Sequence, residues 1–579
     1  MEMIKVRIDG VEVEVPAGTT ALEAARLANI DIPTLCYLKD INEIGACRMC
    51  LVEVEGARSL QASCVFPVGD GMNIKTNTPK VRAARKISLE LILSNHDRKC
   101  LTCVRSQNCE LQDLSQKLGV DDIRFEGERY DKPIDSFSPS IERDPNKCIL
   151  CRRCIAVCNN VQGIGVIGAT ERGFETMVEP VFNMSINDVP CINCGQCIVA
   201  CPVGALREKD DTEKVWDALN NPDLHVVVQT APAVRVALGE EFGMEMGTRV
   251  TGKMVSALRR LGFDRVFDTD FAADLTIMEE GTELLNRINN GGTLPMITSC
   301  SPGWIKYSEH YYPEFLDNLS TCKSPHEMMG AVVKSYYAEK NGWDPANVYV
   351  VSIMPCTAKK FEAQRPELSV NGHPDVDVVL TTRECAKMIK EAGIDFLALP
   401  DGDFDPALGD STGAGVIFGA TGGVMEAALR TVYEVVTGEP MENIEVHAVR
   451  GIDGVKEAEI ELGDMTIRAA IAHGTANAKA LLEQIKSGEK EYHFIEIMGC
   501  PGGCVTGGGQ PIVKAKTYME KDPKVVRAKA IYDEDRDLPI RKSHENPSIK
   551  KLYEEYLGEP NSSKAHDLLH THYVERSVY

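Results

Sequence analysis

The sequence has no long apolar run, no excess of basic residues, and no basic segment leading into an apolar one at its start. None of its 579 residues falls in an uninterrupted apolar stretch of about 18, which excludes a transmembrane helix. Asp and Glu outnumber Lys and Arg by 86 to 63, and the net charge of −23 argues against nucleic acid or an anionic membrane as a partner. Without a secretory pattern after Met1, the predicted location is the cytoplasm.

Cysteine, by contrast, is abundant, with 21 residues. The cytosol keeps thiols reduced, which argues against a disulfide framework. Fifteen of the cysteines come before position 202, in closely spaced runs typical of metal sites. A typical domain has roughly 150 residues, so a chain of this length predicts several domains. We divide it into residues 1–77, 78–117, 138–208, 209–532 and 533–579.

The first segment, 1–77, predicts a small sheet beside a four-cysteine site. Apolar residues alternate around an Asp9-Gly10 turn, and Thr19 is expected to cap a helix. The cysteines have ten, two and thirteen residues between them, which suits a [2Fe–2S] cluster held by a long loop. A zinc site is the alternative, although zinc ligands more often come in two short pairs. The predicted ligands are Cys36, Cys47, Cys50 and Cys64.

The second segment, 78–117, begins with apolar residues at roughly helical spacing: Val81, Ala84, Ile87, Leu91 and Leu93. His96 then precedes three clustered cysteines, Cys100, Cys103 and Cys109. An isolated histidine is usually a packing or surface residue, but at this position we interpret it as a fourth ligand. The prediction is a [4Fe–4S] cluster whose neutral imidazole ligand raises its potential.

The third segment, 138–208, contains an internal repeat, Cys-x2-Cys-x2-Cys-x3-Cys, twice. In two-cluster ferredoxins the fourth cysteine of each run ligates the other cluster. The first run has Asn159 where a proline often follows the last cysteine, which leaves the ligands intact. One [4Fe–4S] cluster is therefore expected on Cys148, Cys151, Cys154 and Cys201, and the other on Cys191, Cys194, Cys197 and Cys158.

From residue 209 the pattern changes to buried strands alternating with helices, which predicts a mostly parallel sheet covered on both faces. The expected strands include Val226–Val228, Met296–Ile297, Val348–Val351 and Val378–Leu380. The segment 533–579 predicts short helices, and its four histidines, His544, His566, His570 and His572, are interpreted as surface or packing residues.

Three cysteine-bearing loops follow predicted strands of this α/β part. They contain Cys300, Cys356, and the glycine-rich pair Cys500 and Cys504. Open α/β sheets build their sites where strands end, and glycine lets the backbone approach a bulky group closely. Cys322 and Cys385 lack such a context and are interpreted as packing residues.

These motifs, from Thr298-Ser299-Cys300-Ser301-Pro302 to Gly499-Cys500-Pro501-Gly502-Gly503-Cys504, resemble those of the [FeFe]-hydrogenases. The likeness covers nearly the whole chain and follows the long clostridial-type catalytic subunits, including those of electron-bifurcating and hydrogen-dependent CO2 reductase complexes. Segment 533–579 is similar to the small subunit of the two-chain periplasmic members. The resemblance implies a multidomain α+β and α/β protein. N-terminal ferredoxin-like iron–sulfur domains would be followed by a large α/β domain that holds an H-cluster.

The H-cluster is a [4Fe–4S] cubane joined through a cysteine sulfur to a two-iron unit with carbon monoxide, cyanide and azadithiolate. The resemblance implies that Cys356, Cys500 and Cys504 ligate the cubane, with Cys504 bridging, and that Lys359 binds a cyanide. It further implies a pocket lined by Pro232, Ala233, Met354, Phe418 and Met498. Ala233 departs from the family, which often has serine there.

The first motif also departs from the family, which usually has two adjacent cysteines, one relaying protons and the next ligating the cubane. Here Ser301 takes the second place. Either Ser301 supplies an oxygen ligand while Cys300 relays protons, or Cys300 itself ligates the cubane, sulfur being the better iron ligand.

Glu280 and Glu283 are three positions apart in a predicted helix and so share a face. By themselves they would be read as solvated carboxylates. The resemblance assigns them, with Ser320, Arg287 and Cys300, to a proton relay, and burial is expected to raise their pKa towards neutrality.

The implied activity is the reversible reaction 2H⁺ + 2e⁻ ⇌ H₂. The implied cofactors are one [2Fe–2S] cluster, three accessory [4Fe–4S] clusters and one H-cluster. The partners expected are NAD(P)H/flavin- or formate-dehydrogenase-type subunits, or ferredoxin. One alternative is an electron-transfer subunit without hydrogen chemistry, which would need only the first 208 residues. Another is a hydrogen sensor, which would typically carry a signalling domain that is not evident here.

Overall fold

A computed structural model describes residues 2–127, 131–441, 443–462 and 465–578. The N-terminal part is a five-stranded sheet with one helix, Ala21–Leu27, and strands Met3–Ile8, Val11–Pro16, Leu51–Val54, Gln61–Ala62 and Asn73–Lys75. Ile4, Val6 and Ile8 are buried as their alternation predicts. The predicted cap is wrong by one residue. Thr20 accepts the Glu23 amide, whereas the Thr19 hydroxyl donates to the Pro16 carbonyl.

The second part contains the helices Pro79–Asn95 and Glu110–Lys117. Val81 and Leu93 of the first helix are buried, but Ile87 and Leu91 are 41% and 51% exposed. Arg85 lies on the buried side instead, because its guanidinium donates to the Leu51 carbonyl of the first sheet.

The two-cluster part has the short helices Arg153–Ala156 and Gln196–Ala200, one in each cysteine run. A π-helical turn, Val157–Val161, continues the first of them. Its strands form two antiparallel pairs, Ile141–Arg143 with Leu206–Glu208 and Gly168–Thr170 with Met177–Glu179.

The α/β part has two four-stranded sheets. The first is wholly parallel, in the spatial order Arg265–Asp268, His225–Thr230, Val348–Met354 and Val378–Thr381. The second has the order Met296–Ile297, Phe494–Met498, Met465–His473 and Val455–Leu462, and only its last pair is antiparallel. The predicted strands of this part are therefore confirmed.

Helices cover both sheets, as the α/β pattern predicts. The longest, Thr269–Asn290, contributes Phe271 and Leu275 to one apolar core and Ala273 and Ile277 to another, so it lies between them. The others are Thr212–Leu219, Thr251–Leu261, Pro302–Tyr311, Pro325–Val332, Ala338–Asn341, Lys359–Glu362, Thr382–Glu391, Gly413–Ile417, Gly423–Thr437, Thr475–Lys486, Ala515–Glu520 and Pro523–Asp537, with a π-helical turn at Val333–Tyr337.

The C-terminal segment has the helices Pro547–Leu552 and Ser563–Leu569 and the π-helical turn Tyr553–Leu557. Ile549, Leu557 and Leu569 belong to the core of the first sheet, so this segment is an integral layer of the α/β part. Among the described residues, we find no helix with the length and the apolar composition that a membrane span requires.

Candidate active site

The three cysteine loops meet between the two sheets. Cys356 follows the strand ending at Met354, and Cys500 follows the strand ending at Met498 in the other sheet. Burial raises the pKa of the Cys504 thiol to about 12, with a further contribution from Cys356. Burial also raises the pKa of Cys500, and Cys356 and Cys504 add to that rise. The fold therefore brings three half-buried thiols from distant parts of the chain together.

The surroundings of these thiols fit an iron–sulfur group. Gly503 has a φ of 95°, and a Cβ there would lie 2.7 Å from the Thr421 amide nitrogen, so only glycine fits this turn. The Thr230 and Thr421 hydroxyls are buried without hydrogen-bond partners among the described residues. Converging thiols are the donor set that iron–sulfur clusters use.

Cys300 and Ser301 point to different neighbours. Burial raises the pKa of the Cys300 thiol, and the next contributions come from Glu280 and then Cys504. The Ser301 hydroxyl instead accepts the Gly499 amide at 3.0 Å, next to Cys500, and Ser301 begins the helix Pro302–Tyr311. The thiol therefore lies beside the predicted relay, and the hydroxyl lies beside a predicted cubane ligand.

Lys359 is held at the other side of Cys300. Its ammonium donates to the Glu362 carboxylate at 2.6 Å and to the Cys300 carbonyl at 3.3 Å. His326 bonds the same Glu362 oxygen at 2.7 Å. Burial alone would raise the pKa of Glu362, but Lys359 and His326 outweigh it and hold that pKa at about 2.

The predicted relay residues form a continuous set on the helix Thr269–Asn290 and the loop beside it. The Ser320 hydroxyl donates to Glu283 at 2.8 Å, and Arg287 binds the other Glu283 oxygen at 2.6 Å. One Glu280 oxygen is buried without a partner among the described residues. Burial, and then the charge of Glu283, raises the pKa of Glu280 to about 8.

The predicted pocket residues are all buried: Pro232, Ala233, Met354, Phe418 and Met498. Ala233, Phe418 and Met498 share one apolar core, against which Cys300 and Cys504 pack. The lining of the site is therefore apolar, apart from the polar groups described above.

The ferredoxin cysteines gather in the crossed sets that the repeat predicts. One cavity is lined by Cys148, Cys151, Cys154 and Cys201, and a second by Cys158, Cys191, Cys194 and Cys197. The second set adjoins the active site, because the Thr357 hydroxyl donates to the Asn193 carbonyl at 2.7 Å and Gln196 donates to the Thr506 carbonyl at 2.9 Å. A Cβ on Gly195 would lie 3.0 Å from Gly508 Cα, so the two loops touch through glycine.

The four ligand candidates of the first segment, 1–77, also gather. Cys50 and Cys64 have sulfurs 3.3 Å apart, and Cys47 accepts the Cys36 amide at 3.4 Å. His96 is 7% exposed at the end of the helix Pro79–Asn95, and a one-turn 3₁₀ helix starts at Cys100. Cys103 packs on the two-cluster part, where a Cβ on Gly204 would lie 2.7 Å from its sulfur.

Sequence reasoning missed Glu362 and His326, which hold Lys359. Glu362 has a local signal, because it lies three positions after Lys359 and so on the same helical face. His326 has none, since only the fold brings it across from the helix Pro325–Val332.

Comparison with known protein families agrees with this site. Residues 224–508 match the C-terminal domain of the iron-only hydrogenase large subunit, and residues 521–576 match the iron hydrogenase small subunit. Upstream, residues 1–79 match a 2Fe-2S cluster binding domain, 85–124 the iron–sulfur binding region of NADH-ubiquinone oxidoreductase G, and 147–205 a 4Fe-4S dicluster domain.

The fold and site thus define an iron–sulfur oxidoreductase with an H-cluster domain. The NADP-reducing hydrogenase subunit HndD of Solidesulfovibrio fructosivorans is 52% identical, covering 100% of both chains. Iron hydrogenase 1 of Clostridium pasteurianum is 45% identical, covering 98% of this chain and 99% of its own. A solved [FeFe]-hydrogenase from Chlamydomonas reinhardtii is 45% identical with a TM-score of 0.56, covering 62% of this chain and 98% of its own. This chain belongs to the iron-only, or [FeFe]-, hydrogenase family.

Proposed function

We propose that this chain performs 2H⁺ + 2e⁻ ⇌ H₂ in the space between Met354 and Met498, with Cys356, Cys500 and Cys504 as cubane ligands. When bound, the H-cluster supplies the iron centre at which protons and electrons combine. The observation that carries the proposal is the convergence of these half-buried thiols with Cys300 and Lys359 in one apolar pocket. The Lys359 ammonium is placed to donate to an anionic cyanide.

Ser301 is proposed as the fourth cubane ligand, and Cys300 as the inner end of the relay. This choice is supported by the position of Cys300 beside Glu280 and of the Ser301 hydroxyl beside Gly499. A proton held on the Cys300 sulfur passes to Glu280, and from there through the Ser320 hydroxyl to Glu283. Arg287 keeps Glu283 oriented at the outer end, where both side chains are partly exposed (14% and 11%).

The proposed accessory clusters are one [2Fe–2S] and three [4Fe–4S] clusters, held by the ligands that the sequence predicts. The domain bounds are proposed as 1–77, 78–117, 138–208, 209–532 and 533–579. Electrons would reach the cubane from the cluster on Cys158, Cys191, Cys194 and Cys197, whose loop touches Gly508. The name of the 52% identical relative supports NADP-linked redox subunits as partners. The proposed location is the cytoplasm, where thiols are kept reduced and so remain available as cluster ligands.

Infrared spectroscopy of the maturated protein tests this function. Carbonyl and cyanide stretches are expected in the triple-bond region, where polypeptide does not absorb, together with hydrogen turnover. A fully maturated protein without these bands would leave only an electron-carrying role.

A further inference from the structure

We infer that Glu283, Cys322 and His570 form a binding site for a thiophilic divalent cation of the Zn²⁺ type at the outer end of the proton relay. The three side chains come from the helix Thr269–Asn290, the loop after Ser320 and the C-terminal segment. One carboxylate oxygen, the sulfur and one ring nitrogen all lie within 4.8 Å of one another, and the three side chains are largely buried. The functional consequence of this site depends on the proposed relay role of Glu283.

One oxygen of the Glu283 carboxylate, Oε2, faces the Cys322 sulfur and also accepts the Thr321 amide at 3.1 Å. Arg287 binds Oε1 of Glu283, whereas Oε2 accepts the Ser320 hydroxyl and lies 3.9 Å from the Cys322 sulfur. A cation can therefore use Oε2 while the guanidinium stays on Oε1. The Cys322 thiolate and the nearby carboxylate of Glu279, which already accepts the Tyr553 hydroxyl and the Asn561 amide, offset the positive charge of a cation beside Arg287.

The imidazole is held in place from both sides. The Thr321 hydroxyl bonds Nδ1 of His570 at 2.7 Å, and Glu279 bonds Nε2 at 3.2 Å. One of these contacts yields to the cation and the other fixes the ring, as partners of metal-bound histidines commonly do. The backbone fixes the same geometry, because the Lys323 amide donates to the Leu569 carbonyl and the Thr571 amide to the Thr321 carbonyl.

The donor set selects the cation. Thiolate, imidazole and carboxylate together suit Zn²⁺, whereas Mg²⁺ and Ca²⁺ prefer oxygen ligands alone. Four-coordination needs one more ligand, which the Ser320 hydroxyl or a water supplies. A cation on Glu283 Oε2 occupies the oxygen to which Ser320 donates, and therefore interrupts proton transfer between Ser320 and solvent.

The first experiment uses the holoenzyme and zinc chloride. Zn²⁺ is expected to lower hydrogen turnover about tenfold or more while the infrared bands stay unchanged, and Mg²⁺ at the same concentration is expected to have no effect. Cys322→Ala and His570→Gln should each raise the half-inhibitory Zn²⁺ concentration by about 10–100-fold. The matched controls Cys385→Ala, another buried thiol, and His572→Ala, an exposed histidine of the same segment, should respond like the parent.

The second experiment reads the ligands directly by X-ray absorption at the zinc edge, with one equivalent of Zn²⁺ on the cluster-loaded protein. A single zinc–sulfur distance of about 2.3 Å is expected, and it should vanish in Cys322→Ala. A zinc shell of oxygen and nitrogen alone, or unchanged inhibition in both variants, would overturn the proposal. Zinc–sulfur binding without inhibition would refute the relay role of Glu283 and leave the cation site standing. Zinc–sulfur binding in a protein without hydrogen turnover would refute the proposed function and leave the cation site standing.

Discussion

Two buried glutamates on opposite sides of Cys300 have opposite protonation behaviour. Glu280 has one oxygen without a partner, and burial raises its pKa to about 8. Glu362 is equally enclosed, but Lys359 and His326 hold its pKa at about 2. Burial alone therefore does not determine the role of a carboxyl group. A carboxyl without a cation can carry a proton near neutral pH, and one with a cation stays ionised and positions it.

The largest effect is expected on the relay side. Glu283→Gln and Glu280→Gln should each lower hydrogen turnover by about 10²–10⁴-fold, because an amide cannot accept and release the proton. Infrared spectra should keep their carbonyl and cyanide bands. Glu339→Gln, an exposed glutamate of the same part, is the control and should retain full turnover. Full activity of either relay variant would remove that glutamate from the relay.

Cys300→Ala distinguishes the proton-relay role of Cys300 from the role of a cubane ligand. If Cys300 carries the proton and Ser301 binds iron, turnover falls about as far as in Glu280→Gln, with the cluster bands intact. Iron content and the infrared spectrum measure this. Loss of the cubane in Cys300→Ala, with Ser301→Ala unaffected, would assign ligation to Cys300.

A smaller effect is expected on the Lys359 side. Glu362→Gln removes the charge that holds Lys359 but leaves the relay intact, so turnover should fall only about tenfold, roughly the worth of one charged hydrogen bond. The infrared cyanide bands should shift, because the ammonium is no longer fixed. Unshifted bands together with parental turnover would show that Glu362 does not position Lys359.

The smallest effect is on stability against pH. Between pH 4.5, the ordinary pKa of a glutamate, and about pH 8, Glu280 is protonated in the folded state and ionised in the unfolded chain. The free energy of unfolding therefore falls as pH rises across this window. Glu280→Gln should flatten this decline in thermal unfolding from pH 5.5 to 8. Glu362 contributes stability above pH 4.5 that is lost only as pH falls towards 2. The control is the exposed Glu339→Gln, which should keep the parental slope. Equal slopes in parent and Glu280→Gln would contradict the raised pKa.

The accessory clusters and the active site were predictable to different degrees. The repeats around Cys148 and Cys191 carry their ligand spacing within a few residues, so the crossed grouping followed from the sequence and is present in the fold. Glu280 and Glu283 could be placed on one helical face, but only the resemblance to a family separated them from ordinary surface carboxylates. Apolar periodicity wrongly predicted that Ile87 and Leu91 lie on the buried face of their helix. Arg85 lies on the buried face of this helix, because its guanidinium donates to the Leu51 carbonyl.

Short-range spacing thus dictated the iron–sulfur ligand runs, the α/β alternation and the cysteine loops, because cluster ligands and backbone periodicity are local properties. The folded chain alone determined which distant groups meet. It brought Glu362 and His326 into contact beside Lys359, and it directed the Ser301 hydroxyl to the Gly499 amide. It also packed the C-terminal His570 against Thr321. Such encounters depend on how sheets and helices pack over hundreds of residues, and the charge and burial that fix each pKa arise only there.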